Sequence, residues 1–294
     1  MTPSELDFYA APAPMSELPD HVAVADLPTD LAGVRRVVQG ILVHRDFVPA
    51  YGITPEEVRL EEQNLRGTTE VLDRVMELSP EPLTVPRPPA QRVQCICSHF
   101  ALVYAAFLRA QGVPARERCG FANYFDADGH KWYDHWITER WDGSRWVRDD
   151  PQVDEFQASQ ITPGFDVNDQ PPGYFLSGAE AWTATREGKF DPLEFGIFDM
   201  WGQSFIGGNV LSDLACLNKV ELLPWDGWGM GLDWGPHDEV PEYGVNVLDD
   251  IASVVNAGDF AAIRSRYLDD ERLRVPDRIL TFSSGAPVEV DIRI

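Results

Sequence analysis

Basic residues are scarce in this chain. Its 294 residues hold 24 lysines and arginines against 48 aspartates and glutamates, a formal net charge of −24 at pH 7. Such a surface repels nucleic acid and anionic membranes, so neither is expected as a partner. It reads first as a solubility and salt-tolerance surface, with a slight leaning toward cationic or amine-bearing partners. Cysteine is sparse too: four, at positions 95, 97, 119 and 216. None has zinc-knuckle spacing, and so few in so long a chain make a disulfide framework improbable. The longest apolar run, residues 100–108, is far below membrane-spanning length. Residues 1–14 carry neither a basic n-region nor an apolar h-region, so no secretory leader is read there. A reducing cytoplasm is therefore the expected compartment. There are no internal repeats.

What is present is enough for a core. The chain is 44% hydrophobic and has nine tryptophans, which suits one large domain or two ordinary ones. Residues 1–28, rich in Pro, Ala and acids, read as a flexible N-terminal arm. Residues 29–175 read as a catalytic domain, and 176–294 as a mostly helical region packed on it. Asp30 is placed to cap a helix through Val34, Val37, Val38, Ile41 and Leu42. Thr54-Pro55-Glu56-Glu57 reads as the start of a helix ending near Ser79. A proline-rich connection then leads to Cys95-Ile96-Cys97-Ser98-His99. A helix apolar nearly all round should run from Ser98 to Gln111, with Gly112 at its C-terminal cap and Pro114 forbidding continuation. Strands are expected over 116–125, 131–141 and 144–148, and helices over 179–186, 201–218, 247–257 and 260–268. Trp225, Trp228 and Trp234 read as core packing before they read as a lid.

The chemistry gathers on three residues. Cys97 stands at the first turn of the buried helix, where the positive end of the dipole lowers a thiol's pKa. Asp142-Gly143 predicts a two-residue hairpin turn, which pairs His135 with Asp150 and Trp136 with Asp149. His135 and Asp150 would then share one face with Cβ atoms about 5 Å apart. A carboxylate so placed fixes the imidazole tautomer and stabilises the imidazolium. Cys95 is the rival nucleophile, outside the helix start. His99 reads as structural, Cys119 and Cys216 as core, and His130 as exposed. The backbone N–H of Cys97 is the first oxyanion donor, with Gln91 or the competing Gln94 as a side-chain donor.

The run from Cys97 through Phe100-Ala101 to Leu108-Arg109-Ala110-Gln111-Gly112-Val113-Pro114-Ala115-Arg116 resembles the nucleophile segment of the transglutaminase-like superfamily. His135-Trp136 resembles its histidine strand, and Asp142-Gly143-Ser144-Arg145-Trp146 to Asp150-Pro151 its aspartate strand. The resemblance implies a papain-like α+β core, a buried nucleophile helix packed on an antiparallel sheet, with additional helical N- and C-terminal segments. It implies Cys97, His135 and Asp150 as a triad. Cys95 stands where the family often has Gly. Trp136 directly follows the histidine, one place early, and alters the pocket wall. The segment Ala215-Cys216-Leu217-Asn218-Lys219 to Trp225 is similar to the C-terminal part of a group of bacterial transglutaminase-like proteins.

The expected function is a cysteine-dependent amide hydrolase or acyltransferase working through a thioester acyl-enzyme. Peptide, amide or small-molecule acyl substrates fit it, with an amine acceptor when the outcome is transfer. No metal or organic cofactor is required. The rival readings are a non-catalytic peptide- or partner-binding protein that retains the fold, and a biosynthetic small-molecule acyltransferase.

Overall fold

The computed structural model describes residues 3–292. Residues 1 and 2 of the expected arm lie outside the described residues. In chain order the elements are α1 (Pro3–Ala10), α2 (Leu31–Ile41), β1 (Leu42–His44), α3 (Gly67–Leu78), β2 (Val93–Cys95), α4 (Cys97–Ala110), β3 (Ala115–Ala122), β4 (Trp132–Trp141) and β5 (Trp146–Asp149). There follow α5 (Glu155–Ile161), β6 (Phe175–Ser177), α6 (Gly178–Arg186), β7 (Phe195–Ile197), β8 (Met200–Trp201), α7 (Gln203–Leu217), β9 (Asp226–Gly227), α8 (Glu242–Ala257), α9 (Phe260–Leu268), β10 (Arg278–Ser284) and β11 (Ala286–Asp291). The class is α+β, as expected. The compact units are cut differently from the expected boundary near 175. One runs to Arg116 and takes in Ile137–Phe156 and Val167–Asp169. The other holds Glu117–Trp136, Gln157–Asp166 and the chain from Gln170 on.

The first unit is built on α4, whose residues from Cys97 to Arg109 are all buried. A helix apolar on every side must be wrapped, and α2 and α3 do the wrapping. Val34, Val38 and Ile41 of α2 and Val71, Leu72 and Val75 of α3 join Phe100, Val103, Tyr104, Phe107 and Leu108 of α4 in one core. Asp30 Oδ1 accepts the Gly33 N–H at 2.8 Å, the N-cap expected of it. α4 ends at Gly112 with φ +76°, where the Val113 N–H returns to the Leu108 carbonyl at 2.9 Å. Thr138 Oγ on β4 donates to the Ala101 carbonyl at 3.0 Å and ties strand to helix.

Two expectations in this unit are corrected. The helix from Thr54 breaks into the one-turn Pro55–Glu57, the short Leu60–Asn64, and α3. The break turns Glu62 inward, 2% exposed, where it accepts from Arg59 at 2.7 Å, Arg74 at 2.8 Å and the Gln94 N–H at 2.7 Å. The stretch expected as a flexible arm carries α1. Tyr9 is fully buried and meets the Trp146 ring edge-on at 5.4 Å. The Arg116 guanidinium lies over both rings, at 5.2 and 4.1 Å. Arg109 Nη1 donates to Ser16 Oγ at 2.8 Å.

The second unit rests on a sheet ordered β6-β3-β4-β7-β8. Its β3–β6 and β7–β8 pairs are antiparallel and β4–β7 is parallel. β3 and β6 approach so closely that a Cβ on Gly120 would fall 2.1 Å from the Leu176 carbonyl oxygen. Phe121, Trp132 and Phe195 pack with Trp182 of α6, Ile206 and Val210 of α7 and Leu248 and Ile251 of α8. Trp228 and Trp234 are in that core, with indole N–H groups donating to the Leu273 and Ser204 carbonyls. Arg118 and Asp213 form a buried two-bond pair at 2.8 Å each. The C-terminal region is helical but also holds a three-stranded sheet, β11-β10-β9, that the sequence patterns did not predict.

Candidate active site

Parallel pairing of β1 and β2, with Val43 level with Gln94, sets the approach to the cysteine turn. Ile96 is the extended N-cap of α4 and Cys97 its first residue, 7% exposed. His99 closes this turn. Its Nδ1 accepts the Ile96 N–H at 3.4 Å, so Nε2 carries the proton and donates to the Leu65 carbonyl at 3.0 Å. Burial lowers the imidazole pKa to about 4. A histidine thus fills the position of the capping box's Glu or Gln. Beside Cys97 the Ser98 hydroxyl is 4% exposed and makes no hydrogen bond among the described residues. Cys95 is fully buried, and burial, then the nearby Glu62 charge, push its thiol well up. That is the wrong direction for a nucleophile.

The hairpin register differs from the expected one by two residues. The ladder pairs Thr138 with Asp149 and Trp141 with Trp146, so residues 142–145 form a four-residue loop. Asp142 explains it. Its Oδ1 accepts from the Arg145 N–H at 2.9 Å and from the Ser144 N–H and hydroxyl at 2.8 Å each. These bonds, that of Arg145 first, lower its carboxyl to about 2. A side chain serving as the turn's acceptor outcompetes the tight Asp-Gly turn. Asp150 therefore follows the last ladder pair instead of standing opposite His135. Because the shift is even, the inward–outward alternation is preserved.

The two neighbouring aspartates have separate surroundings. Asp149 is fully buried and accepts from Arg35 at 2.7 and 3.1 Å, Arg140 at 2.9 Å and Tyr104 at 3.0 Å. Its lone pairs are committed to holding α2, α4 and β4 together. Asp150, also fully buried, has its N–H on the Val167 carbonyl at 2.9 Å and accepts the Gln152 N–H at 2.9 Å.

His135 lies on the part of β4 that belongs to the second unit, 2% exposed. The Phe125 ring meets it edge-on at 4.9 Å and the Tyr124 ring at 6.0 Å. Its neighbour Asp134 is lifted by burial to about 7, against the Asn209 amide that donates to it at 2.7 Å. Trp136 is 2% exposed. Gln94 has its amide on the Glu57 carbonyl and its oxygen on the Arg59 N–H, both at 2.8 Å. It is committed to the loop before α3. Gln91 sits exposed in a one-turn helix, Pro89–Gln91, ahead of β2. Cys97 and Asp150 thus belong to the first unit and His135 to the second. The rings beside His135 were missed by sequence reasoning. The aromatic density of residues 121–125 was the available signal.

Among the described residues no group of three or more His, Cys, Asp or Glu could hold a metal ion. No described helix is long and apolar enough to cross a membrane.

The molecule is an α+β protein with a thiol heading a buried helix, a histidine on a later strand and an aspartate directly after the strand that follows it. Residues 77–151, roughly a quarter of the chain, match the model of the transglutaminase-like superfamily. The α+β class, with helices before and after the matched residues in the chain, is consistent with a transglutaminase-like core. No curated protein matches the chain, and no solved structure does.

Proposed function

We propose that the protein is a cysteine-dependent amide hydrolase or acyltransferase. In this reading Cys97 attacks a carbonyl carbon, and His135 takes the thiol proton and returns it to the leaving group. Asp150 orients the imidazole, and a thioester on Cys97 is resolved by water or an amine. The observation that carries the reading is the position of Cys97 at the first turn of a buried helix, inside a segment matching a superfamily that generally includes peptidases and acyltransferases. Three competitors for these roles are otherwise engaged. Cys95 has its thiol pushed up, His99 caps the helix, and Asp149 binds two arginines. Water is the simpler acceptor.

Alkylation tests the proposal. Iodoacetamide should label Cys97 rapidly well below about pH 8, the ordinary thiol range. Cys97→Ala should abolish that labelling, and His135→Asn should move its midpoint upward. A Cys97 that labels with an ordinary thiol profile, and forms no acyl-enzyme with any amide or ester, returns the protein to the class of binding modules.

A further inference from the structure

Two rings meet the candidate base and two more extend from them, and sequence motifs account for none of the four. Phe125 and Tyr124 follow β3 and meet the His135 ring edge-on, at 4.9 and 6.0 Å. Tyr124 passes the contact on to Phe165, 5.5 Å away at 71°. Phe165 lies against Tyr174 at 4.1 Å, the rings tilted by 32°. All belong to the second unit. Tyr124 is buried and its hydroxyl accepts from Gln170 at 3.3 Å, so it is fixed. Phe125, Phe165 and Tyr174 are only half-buried. Apolar rings left half in water beside a buried imidazole are a surface that gains by being covered. The main core of this unit instead gathers Phe121, Trp132 and Phe195.

We propose that these rings form the substrate side-chain subsite, and that the group it takes is aromatic: an arylacetyl-type acyl group or its amide. This rests on the proposed role of His135 and goes beyond it by naming what the rings beside that imidazole take. Ring pairs favour edge and offset-stacked contacts at centroid separations of about 4.5–7 Å, the geometry already present along this wall. A flat guest extends that pattern. An anionic or uncharged strongly polar side chain would lose hydration against rings whose electron-rich faces offer it little in return.

Binding tests this without requiring turnover. The full-length wild-type protein is titrated with phenylacetamide, hexanamide and acetamide while the His135 ring resonances are followed by NMR, assigned by their loss in His135→Asn. Phenylacetamide should shift them in the ring-current direction and half-saturate at a concentration about tenfold below acetamide. Phe125→Leu and Phe165→Leu, which retain apolar bulk, should each weaken phenylacetamide severalfold and leave acetamide unchanged. Equal behaviour of phenylacetamide and acetamide overturns the proposal. So does hexanamide binding as tightly as phenylacetamide, which would make the surface merely apolar. Iodoacetamide labelling of Cys97 on the same samples separates the two readings. An activated Cys97 with no aromatic preference retires the subsite alone, and an ordinary thiol with aromatic binding at His135 retires the catalytic role alone.

Discussion

Replacing Asp149 and Asp150 by asparagine, one at a time, should produce opposite defects. Asp149 has no solvent exposure and receives four hydrogen bonds, two from Arg35 and one each from Arg140 and Tyr104. Both guanidinium groups are themselves nearly buried, at 10% and 12% exposure. Asp149→Asn removes the negative charge and turns one acceptor oxygen into a donor facing donors. Two buried guanidinium groups then lose the negative charge of Asp149. Breaking a buried pair by removing one partner costs about 3–5 kcal/mol. For a unit of this size that corresponds to a fall in Tm of roughly 6–20 °C. Asp150→Asn leaves this hub intact and should change Tm by a few degrees at most. Instead it should raise the pH at which Cys97 becomes alkylated. Thermal melts and urea titrations of both variants, with iodoacetamide profiles on the same samples, make the comparison. If Asp149→Asn melts with the wild type while Asp150→Asn unfolds, the division of labour between the two carboxylates is refuted.

Other outcomes follow from the buried groups. His99 stays neutral in the fold, its pKa near 4, while the unfolded chain takes a proton from about pH 6.5 downward. Stability should therefore fall by about 3 kcal/mol as pH drops from 6.5 to 4, and His99→Gln should flatten that slope in urea titrations. Asp134 works in the opposite sense. With its carboxyl raised to about 7, the native state holds a proton that the unfolded state releases above the usual carboxylate range. Its contribution is lost as pH rises toward 7, and Asp134→Asn should remove that loss. Gly120→Ala should disrupt the β3–β6 pairing, since the added carbon meets the Leu176 carbonyl at 2.1 Å. Faster amide exchange at Phe121 and Ser177 reports it. Asp213→Ala breaks the buried pair with Arg118 and should cost about 3–5 kcal/mol in denaturant titrations.

Legibility along this chain follows the range of the forces. The caps of α2 and α4 could be read because Asp30 and Gly112 act within a few residues of themselves. The burial of α4 could be read because its apolar residues leave no polar face. The order of Cys97, His135 and Asp150 could be read as a motif. The hairpin was read two residues tight because a single acceptor, Asp142, gathers three donors into a longer loop. Even there the alternation of faces survived, since the error was even. The helix expected from Thr54 failed for a longer-range reason. Glu62 bonds to Gln94, 32 residues on.

The sequence by itself determined the buried helix, the thiol at its head and the α+β class. These rest on hydrophobic periodicity and cap chemistry that neighbours in the chain supply. Only the tertiary structure decided which charged residues are spent on architecture. The Arg35–Asp149 and Arg118–Asp213 pairs join residues 114 and 95 positions apart. It also brought Phe165 against Tyr124 and so to the rings beside His135. No local preference encodes such pairings. They form because a buried charge or an apolar ring must find its partner wherever folding delivers one.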